Sequence, residues 1–242
     1  MAIISSFHGI EERIKRSSRG VKALLVAKTG PRVKDIIKLA ELAHIPIQYA
    51  SQAELNKLAD NNKGIILLLD QRENDETLDF CTWIQNLQET PYLVLILDHL
   101  EDPHNFGAIL RSSDIFSVDL IIIPKRRSVK NTDTVYKVSA GAASYVPVAE
   151  VANLRDAVQR LKNTGFWIYG ADMNGAPLTQ VAFEKRTALI MGTEGTGLAP
   201  LLKKECDEIV SIPQFGHIDS LNVSVAAGIM LYEITCRHLR KH

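Results

Sequence analysis

Three segments of the chain combine polar side chains with glycine directly after apolar runs. The first is EDPHNFGAILRSSD at 101–114, which contains Asn105 and Arg111. An arginine among apolar neighbours must direct its guanidinium at a carboxylate, a phosphate or the solvent edge. Because arginine keeps its proton at working pH, Arg111 suits binding an anionic group such as a phosphate. Asn105 is interpreted as the N-cap of the helix that follows. Taken alone, the segment is better explained as an ordinary capped amphipathic helix with a surface arginine.

The second segment is MGTEGTGLAP at 191–200, a glycine-rich loop between a strand and a helix. Its spacing is G-x-x-G-x-G, which differs from the dinucleotide fingerprint, and no G-K-[ST] follows as in a Walker loop. Glu194 in its middle would repel a pyrophosphate. The loop therefore disfavours a dinucleotide or a nucleoside triphosphate, and it tolerates a ligand that carries positive charge.

The third segment is SIPQFGHIDSLNVSVAAGIMLYE at 211–233. A strand is expected to end at Ile212 and Pro213, and a helix is expected to begin at Ser220 or Asn222. That helix is apolar almost all round, which is typical of a helix buried in a core or an interface.

Composition excludes several classes of protein. The chain has 242 residues, of which 46% are apolar and 23% charged, so it is neither disordered nor a disulfide framework. Its longest apolar runs are about five residues, whereas a membrane span needs about 20. The N-terminal residues lack the basic and apolar regions of a signal peptide. Three distant cysteines and the loop histidines show no metal-ligand spacing, so we expect no metal and a reduced, cytoplasmic protein.

The charges balance but are unevenly distributed. Lys plus Arg and Asp plus Glu are both 28, which weighs against nucleic-acid binding through bulk charge alone. Residues 1–40 nevertheless carry nine basic and three acidic side chains, while residues 41–90 carry three basic and nine acidic ones. A solvated surface is the ordinary explanation of any single basic cluster. The clusters that would contact the phosphates of a nucleic-acid partner are Arg13, Lys15, Arg16 and Arg19, followed by Lys125, Arg126 and Arg127.

The elements that must position these segments alternate between strand and helix. Helices are predicted over 33–43 and over 153–165, the second with Asn153 as its N-cap and Gly165 at its end. This alternation indicates α/β layers with largely parallel sheets. We place a small domain at 1–75, a linker at 76–90 that includes a short helix in 78–88, and a larger domain at 91–242. The runs that read as buried strands are 23–28, 46–50, 64–69, 92–97, 119–124, 166–171, 187–192 and 208–213.

Taken in this order, NFGAILR, IMGTEGTGL and SIPQFGHIDSLNVSVAAG resemble the three motifs of the SpoU–TrmH family. This is a family of RNA ribose 2′-O-methyltransferases in the SPOUT superfamily, and the resemblance covers about 90–242. Residues 1–70 are similar to the small substrate-binding domain of its longer members, although Asn62 and Lys63 stand where the family often has His-Gln. The segments IPKRRS and KVSAGAASYVPV are most similar to the branch that methylates a guanosine of 23S rRNA.

The resemblance implies a fold, a methyl donor and a set of site residues. The fold would be an α/β domain with a deep trefoil knot that binds S-adenosylmethionine, and it would form a homodimer through this C-terminal domain. No metal is implied. Arg111 would be the main catalytic residue. Asn105, Glu194, Ser220 and Asn222 match the remaining functional positions, and the donor would contact Met191, Gly192, Thr193, Gly197, Ile212, Leu221 and Asn222.

Three alternatives remain open from the sequence. Within the enzyme class, the substrate could be tRNA or a different ribosomal nucleotide. A non-catalytic RNA-binding or ribosome-assembly factor would keep the fold without turnover, although the chain retains Asn105, Arg111, Glu194 and Asn222. A dehydrogenase of the Rossmann type is disfavoured by the loop spacing and by Glu194.

Overall fold

The computed structural model describes residues 2–70, 78–125, 133–192, 197–217 and 220–239, whose strands form two sheets. The chain divides into two compact units, which we describe separately. The first unit consists of residues 1–76 and 130–145, and the second consists of residues 77–129 and 146–242. Each unit has its own buried apolar core.

The sheet of the first unit has four strands in the order β1-β4-β2-β3. Strand β4 pairs antiparallel with β1 and β2, and only β2 and β3 are parallel. The expectation of largely parallel sheets is therefore wrong for this unit, because a continuous apolar run reports burial on both faces and not strand direction. The strands are β1 Ala2–Ile4, β2 Val21–Val26, β3 Ile47–Tyr49 and β4 Ile65–Leu69, and the helices are α1 Phe7–Arg16, α2 Pro31–Leu42 and α3 Gln52–Leu58.

A segment distant in sequence completes the first unit. Helix α6, Asp133–Val138, places the buried Tyr136 in the same core cluster as Ile4 and Ile10. The carboxylate of Asp133 accepts hydrogen bonds from the Ser5 backbone nitrogen at 2.8 Å and from Ser5 Oγ at 2.9 Å. Ser5 is fully buried. The first unit is thus discontinuous along the chain, while the boundaries at 75 and 91 remain predictions from sequence.

The second unit contains a six-stranded sheet in the order β10-β8-β9-β5-β6-β7, and each of its pairings is parallel. The chain has an α/β fold, as expected from the strand and helix alternation. The strands are β5 Tyr92–Leu97, β6 Leu120–Pro124, β7 Val148–Val151, β8 Trp167–Pro177, β9 Arg186–Met191 and β10 Glu208–Ser211. The helices are α4 Phe80–Gln85, α5 Pro103–Ile115, α7 Leu154–Asn163, α8 Pro200–Lys203 and α9 Val223–Glu233, the last continuing as a π-helix over Ile234–Leu239.

Burial on both faces explains the apolar runs of this sheet. Residues Leu93 to Leu97 of β5 are all buried, because helices must cover both sides of a parallel sheet. Helix α7 covers one side, and it begins at the N-cap Asn153 and is followed by Gly165 at φ +84°, as predicted. Strands β1 and β7 were not predicted from the sequence.

The strand order fixes where the loops of interest emerge. Strands β5, β8, β9 and β10 run parallel, so their carboxyl ends lie at one edge of the sheet. From β5 the sheet grows toward β6 and β7 on one side and toward β9 and β8 on the other. Such a reversal is the topological switch point at which open α/β sheets bind ligands. The switch point places the loops after β5 and β9 next to each other.

Candidate functional site

The first motif begins helix α5, but Asn105 is not its N-cap. The N-cap is Asp102, whose carboxylate accepts from the backbone nitrogens of His104 at 3.0 Å and Asn105 at 3.3 Å. Pro103 at the first helical position favours this start, because its fixed φ is already helical and it has no N–H to satisfy. Asn105 therefore lies in the first turn, with 8% of its surface exposed, and its side chain does not cap the helix.

Asn105 is hydrogen-bonded to Asn222, which lies 117 residues away in sequence. Asn222 Nδ2 donates to Asn105 Oδ1 at 3.0 Å. Asn222 is the N-cap of α9, as one of the two sequence alternatives predicted, and its Oδ1 accepts from the Ser224 nitrogen at 2.9 Å and from Ser224 Oγ at 2.6 Å. These contacts fix the orientation of the Asn222 amide and join the first motif to the third.

Arg111 lies six residues beyond Asn105 on the same helix, and it is exposed. Within the described ranges, the guanidinium of Arg111 forms no hydrogen bond and no ion pair. A side chain without such a partner keeps its five donors available for an anionic group.

The second motif starts where β9 ends beside β5. The Asp98 backbone nitrogen donates to the Met191 carbonyl at 3.0 Å, which places Gly192 at the switch point. A Cβ on Gly192 would lie 2.2 Å from the Gly197 carbonyl carbon and 2.5 Å from the Leu198 nitrogen. Only glycine permits this approach. Gly197 itself has a φ of +67°, so the loop returns tightly against its own start.

The third motif presents apolar side chains after β10. Strand β10 ends at Ser211, and Ile212 follows half-buried. Phe215 is 97% exposed and Leu221 is 43% exposed. Ser220 and Leu221 are the two residues that precede the Asn222 cap, and Ser220 is also exposed. Thr193, Glu194, Arg126 and Arg127 lie outside the described residues.

The predicted RNA-binding residues of α1 are largely engaged within their own unit. Arg13 donates to the carbonyls of Ser17 and Arg19, where it closes the carboxyl end of the helix. Lys15 pairs with Glu12 at 3.0 Å. The Arg16 guanidinium carbon lies 5.7 Å from the ring centroid of Tyr145. In the second unit, Lys125 is exposed directly after β6.

An open apolar groove runs between α5 and α9. Tyr232 is 54% exposed, and its ring packs edge-on against that of Phe116 with centroids 6.0 Å apart. Val225 and Ile229 are also exposed, so α9 buries only part of its apolar surface. The groove has a volume of about 510 Å³ and is lined by Ala108, Ser112, Phe116, Ser224, Val225, Gly228, Ile229 and Tyr232.

Sequence reasoning missed a closely spaced aspartate–histidine pair beside the switch point. The Asp98 side chain is 3% exposed, and its Oδ1 lies 2.5 Å from His99 Nδ1. His99 has a φ of +51°, a conformation that costs a side-chain-bearing residue free energy and that often occurs at functional sites. The only signal in the sequence is an aspartate that directly follows a fully apolar strand.

Metal and thiol chemistry find little support in this site. The described residues contain no group of three or more His, Cys, Asp or Glu that could hold a metal ion. Burial raises the pKa of the Cys206 thiol to about 11, which keeps it protonated and unreactive.

Among the helices that the structure describes, none is long and apolar enough to cross a membrane.

Comparison with known proteins shows to which family the chain belongs. Residues 92–232 match the family model described as the SpoU rRNA methylase family, and residues 7–74 match that for RNA 2′-O ribose methyltransferase substrate binding. The chain belongs to the SpoU methylase family. The match over residues 92–232 contains all three motifs, and the predicted resemblance to the SpoU–TrmH family is confirmed.

Relatives support this SpoU assignment over nearly the whole chain. An uncharacterized tRNA/rRNA methyltransferase of Borreliella burgdorferi is 40% identical over 86% of this chain and 94% of its own. A protein of Staphylococcus saprophyticus named as a TrmH family tRNA/rRNA methyltransferase is 37% identical over 96% of this chain and 94% of its own. The solved structure of the SpoU methyltransferase AviRb from Streptomyces viridochromogenes, in complex with AdoMet, has a TM-score of 0.81 at 20% identity, and the alignment covers 97% of this chain and 89% of that one.

Proposed function

We propose that this SpoU methylase transfers a methyl group from S-adenosylmethionine to a ribose 2′-oxygen of RNA. The observation that carries the proposal is the Asn222–Asn105 hydrogen bond at 3.0 Å. This hydrogen bond joins the start of α9 to the first turn of α5. Helix α5 also carries Arg111, whose guanidinium makes no hydrogen bond or ion pair within the described residues. The match of residues 7–74 to a substrate-binding model of RNA 2′-O ribose methyltransferases supports the choice of atom.

The loops at the carboxyl edge fit the donor in shape and character. The close approach of Gly192 to Gly197 leaves backbone groups, and no Cβ, at the switch point. Ile212 and Leu221, in the segment after β10, supply apolar surface, and both are at least partly exposed. We assign donor binding to Met191, Gly192, Gly197, Ile212, Leu221 and Asn222, together with Thr193. When bound, S-adenosylmethionine supplies an electrophilic methyl group on a sulfonium.

The residues of the chain must orient the ribose hydroxyl and help remove its proton. In-line displacement needs the attacking oxygen about 3–3.5 Å from the methyl carbon. Arg111 stays protonated, so we assign it to stabilising the developing alkoxide or gripping the adjacent phosphate. The hydrogen bond between Asn105 and Asn222 fixes the start of α9 against α5. We assign Ser220 and Glu194 to positioning the reacting groups. No metal is needed for this chemistry.

We propose a guanosine of 23S rRNA as the substrate. The similarity of IPKRRS and KVSAGAASYVPV to the branch with that activity supports this choice. The relatives named as tRNA/rRNA methyltransferases keep tRNA as the second candidate. A non-catalytic RNA-binding role would leave Arg111 without a part in turnover, although no hydrogen bond or ion pair among the described residues engages its guanidinium.

We further propose that a second copy of the chain covers the groove between α5 and α9. Exposed apolar surface on Val225, Ile229 and Tyr232 is the kind of patch that marks an interface. The deep trefoil knot of the C-terminal domain also remains a proposal, which the tight return of the chain at Gly192 supports.

Transfer of a labelled methyl group tests the function. Unmodified 23S rRNA and unmodified tRNA transcripts would be incubated separately with the protein and labelled S-adenosylmethionine. We expect label in 23S rRNA, in a dinucleotide that resists alkaline cleavage because its 2′-oxygen is blocked. Label in tRNA alone would replace the substrate. Label on a base would contradict ribose methylation, and donor binding with no label in either RNA would favour the non-catalytic role.

A further inference from the structure

The amino-terminal unit contains a cluster of cations that the predicted RNA-binding residues do not include. The Arg32 guanidinium carbon lies 5.4 Å from the ring centroid of Phe7, and Lys63 Nζ lies 5.5 Å from it. Two cations on one aromatic ring repel each other, so the ring and a counterion must offset that repulsion. One carboxylate is at hand, since Arg32 Nε is 3.2 Å from Glu11 Oε1.

Lys63 is held in place by its own loop. Its φ of +54° lies in the left-handed region, between Asn61 at +57° and Gly64 at +82°. The left-handed conformations of Asn61 and Lys63 cost free energy, which the surrounding contacts must offset. The side chain of Lys63 is exposed, so the strain does not serve burial of this residue.

The buried side chain of Asn62 supplies those contacts. Asn62 is 1% exposed, and its Nδ2 donates to the Ala59 carbonyl and to Asn56 Oδ1, both at 2.9 Å. Its Oδ1 accepts from the Gly64 nitrogen at 2.9 Å and from Gln52 Nε2 at 2.8 Å. With donors and acceptors both satisfied, the loop is fixed and the Lys63 side chain is directed over Phe7.

A third cation adjoins the same loop. The Lys28 backbone nitrogen donates to the Gly64 carbonyl at 3.3 Å, and a Cβ on Gly64 would lie 2.8 Å from Lys28 Cβ. The stem of Lys28 therefore packs against the loop, and its side chain is exposed. Within the described residues, neither Lys28 nor Lys63 forms an ion pair. Arg32 and Lys63 thus share the Phe7 ring, Lys28 packs against the loop that holds Lys63, and of these three cations only Arg32 pairs with a carboxylate among the described residues.

We propose that Lys28, Arg32 and Lys63 form a clamp for the phosphodiester backbone of the RNA substrate, with Phe7 as a positioning residue. The clamp rests on the proposed function, because it assumes that the partner of this unit is RNA. Phosphate contacts fix the position of a nucleic acid without reading its sequence. The ring of Phe7 is occupied by its two cations, so it orders them rather than stacking on a base.

Charge-removing variants test the clamp. Arg32→Gln, Lys63→Gln and the double variant would be compared with Lys38→Gln, which removes an exposed cation from the far part of the same helix α2. The probe is an unmodified 23S rRNA transcript, and its affinity is measured at several salt concentrations between 50 and 200 mM. Arg32→Lys serves as the conservative variant. Thermal unfolding checks that each variant stays folded, and donor binding checks the other unit.

We expect each single variant to weaken RNA binding by about three- to tenfold and to reduce the salt slope by about 0.7–0.9. The double variant should lose about twice that slope, Arg32→Lys should retain most of the affinity, and Lys38→Gln should bind like the parent chain. An unchanged affinity and slope in the double variant would overturn the clamp, as would an equal loss in Lys38→Gln.

The two proposals fail in different ways. Label transferred to RNA by the parent chain, together with parent-like binding by the double variant, would overturn the clamp alone. Salt-sensitive RNA binding that depends on Arg32 and Lys63, without any methyl transfer, would overturn the proposed activity and keep the clamp. A parent chain that neither binds nor methylates either RNA would overturn both.

Discussion

The side-chain amide of Asn222 donates a hydrogen bond to Asn105 across 3.0 Å, and so joins the amino-terminal turns of α5 and α9. The same Asn222 caps α9 through Ser224. Asn222 therefore has two separable roles, because its Oδ1 caps α9 and its Nδ2 donates to Asn105. This division allows the structural role and the site role to be tested apart.

Asn222→Asp should separate the two roles. An aspartate keeps the oxygen that caps α9, but it cannot donate to Asn105 and would repel its oxygen. We expect methyl transfer to fall at least tenfold with little change in the melting temperature. Asn222→Ala removes the cap as well, which costs about 1 kcal/mol of unfolding free energy in addition. Parent-like transfer by Asn222→Asp would show that the Asn105 link is dispensable.

Gly192→Ala tests whether the tight loop after β9 shapes the donor site. The added Cβ would lie 2.2 Å from the Gly197 carbonyl carbon, so the loop must shift. Gly216→Ala is the matched control, because no atom lies within 4 Å of the position of its Cβ. Isothermal titration with S-adenosylmethionine should show loss of binding in Gly192→Ala alone. Equal donor affinity in the two variants would remove this loop from the donor site.

Charge placed in the α5–α9 groove should prevent self-association. Ile229→Glu and Val225→Lys each put a charge on an apolar face that we expect a second copy to desolvate. Sedimentation should give a dimer for the parent chain and a monomer for these variants. Leu201→Lys changes a residue that is 63% exposed on α8, outside the groove, and should stay dimeric. A monomeric parent chain would contradict the proposed dimer.

Asp133→Ala tests whether the first unit depends on its distant segment. The substitution leaves the buried nitrogen and hydroxyl of Ser5 without their acceptor, which costs about 1–3 kcal/mol of unfolding free energy. Asp133→Asn keeps one acceptor oxygen and should lose less. Urea denaturation measures both variants. An unfolding free energy within 0.5 kcal/mol of the parent value, roughly the range of neutral surface changes, would show that the contacts between Asp133 and Ser5 do not stabilise this unit.

The sequence predicted the second unit more fully than the first. Apolar runs such as residues 93–97 are long and lie under helices, so burial on both faces left a clear pattern. The direction of β4 and the return of Tyr136 to the first core depend on contacts between residues far apart in sequence. No local pattern encodes those contacts. Short strands such as β1 were missed for the same reason.

For the candidate site, the sequence indicated which residues to consider but not their local geometry. Asn222 was expected to be a possible cap and is one, whereas Asn105 was expected to be a cap and is not. Both Asp102 and Asn105 are residue types that cap helices, and the Pro103 that follows Asp102 decides between them. The Asp98–His99 pair left one weak local signal, an aspartate directly after an apolar strand, because the pair depends on where β5 ends beside β9.

Methyl transfer by Arg111→Ala, with donor binding measured on the same sample, tests the central claim most directly. The guanidinium is exposed and unengaged within the described part of the chain, so its removal should not unfold the protein. We predict that transfer to 23S rRNA falls by about 100-fold or more, on the scale of losing one preorganised donor, while S-adenosylmethionine binds as before. Arg111→Lys should restore only part of the rate, because an ammonium lacks the planar fork of donors. Near-parent transfer by Arg111→Ala would contradict the assignment of this site.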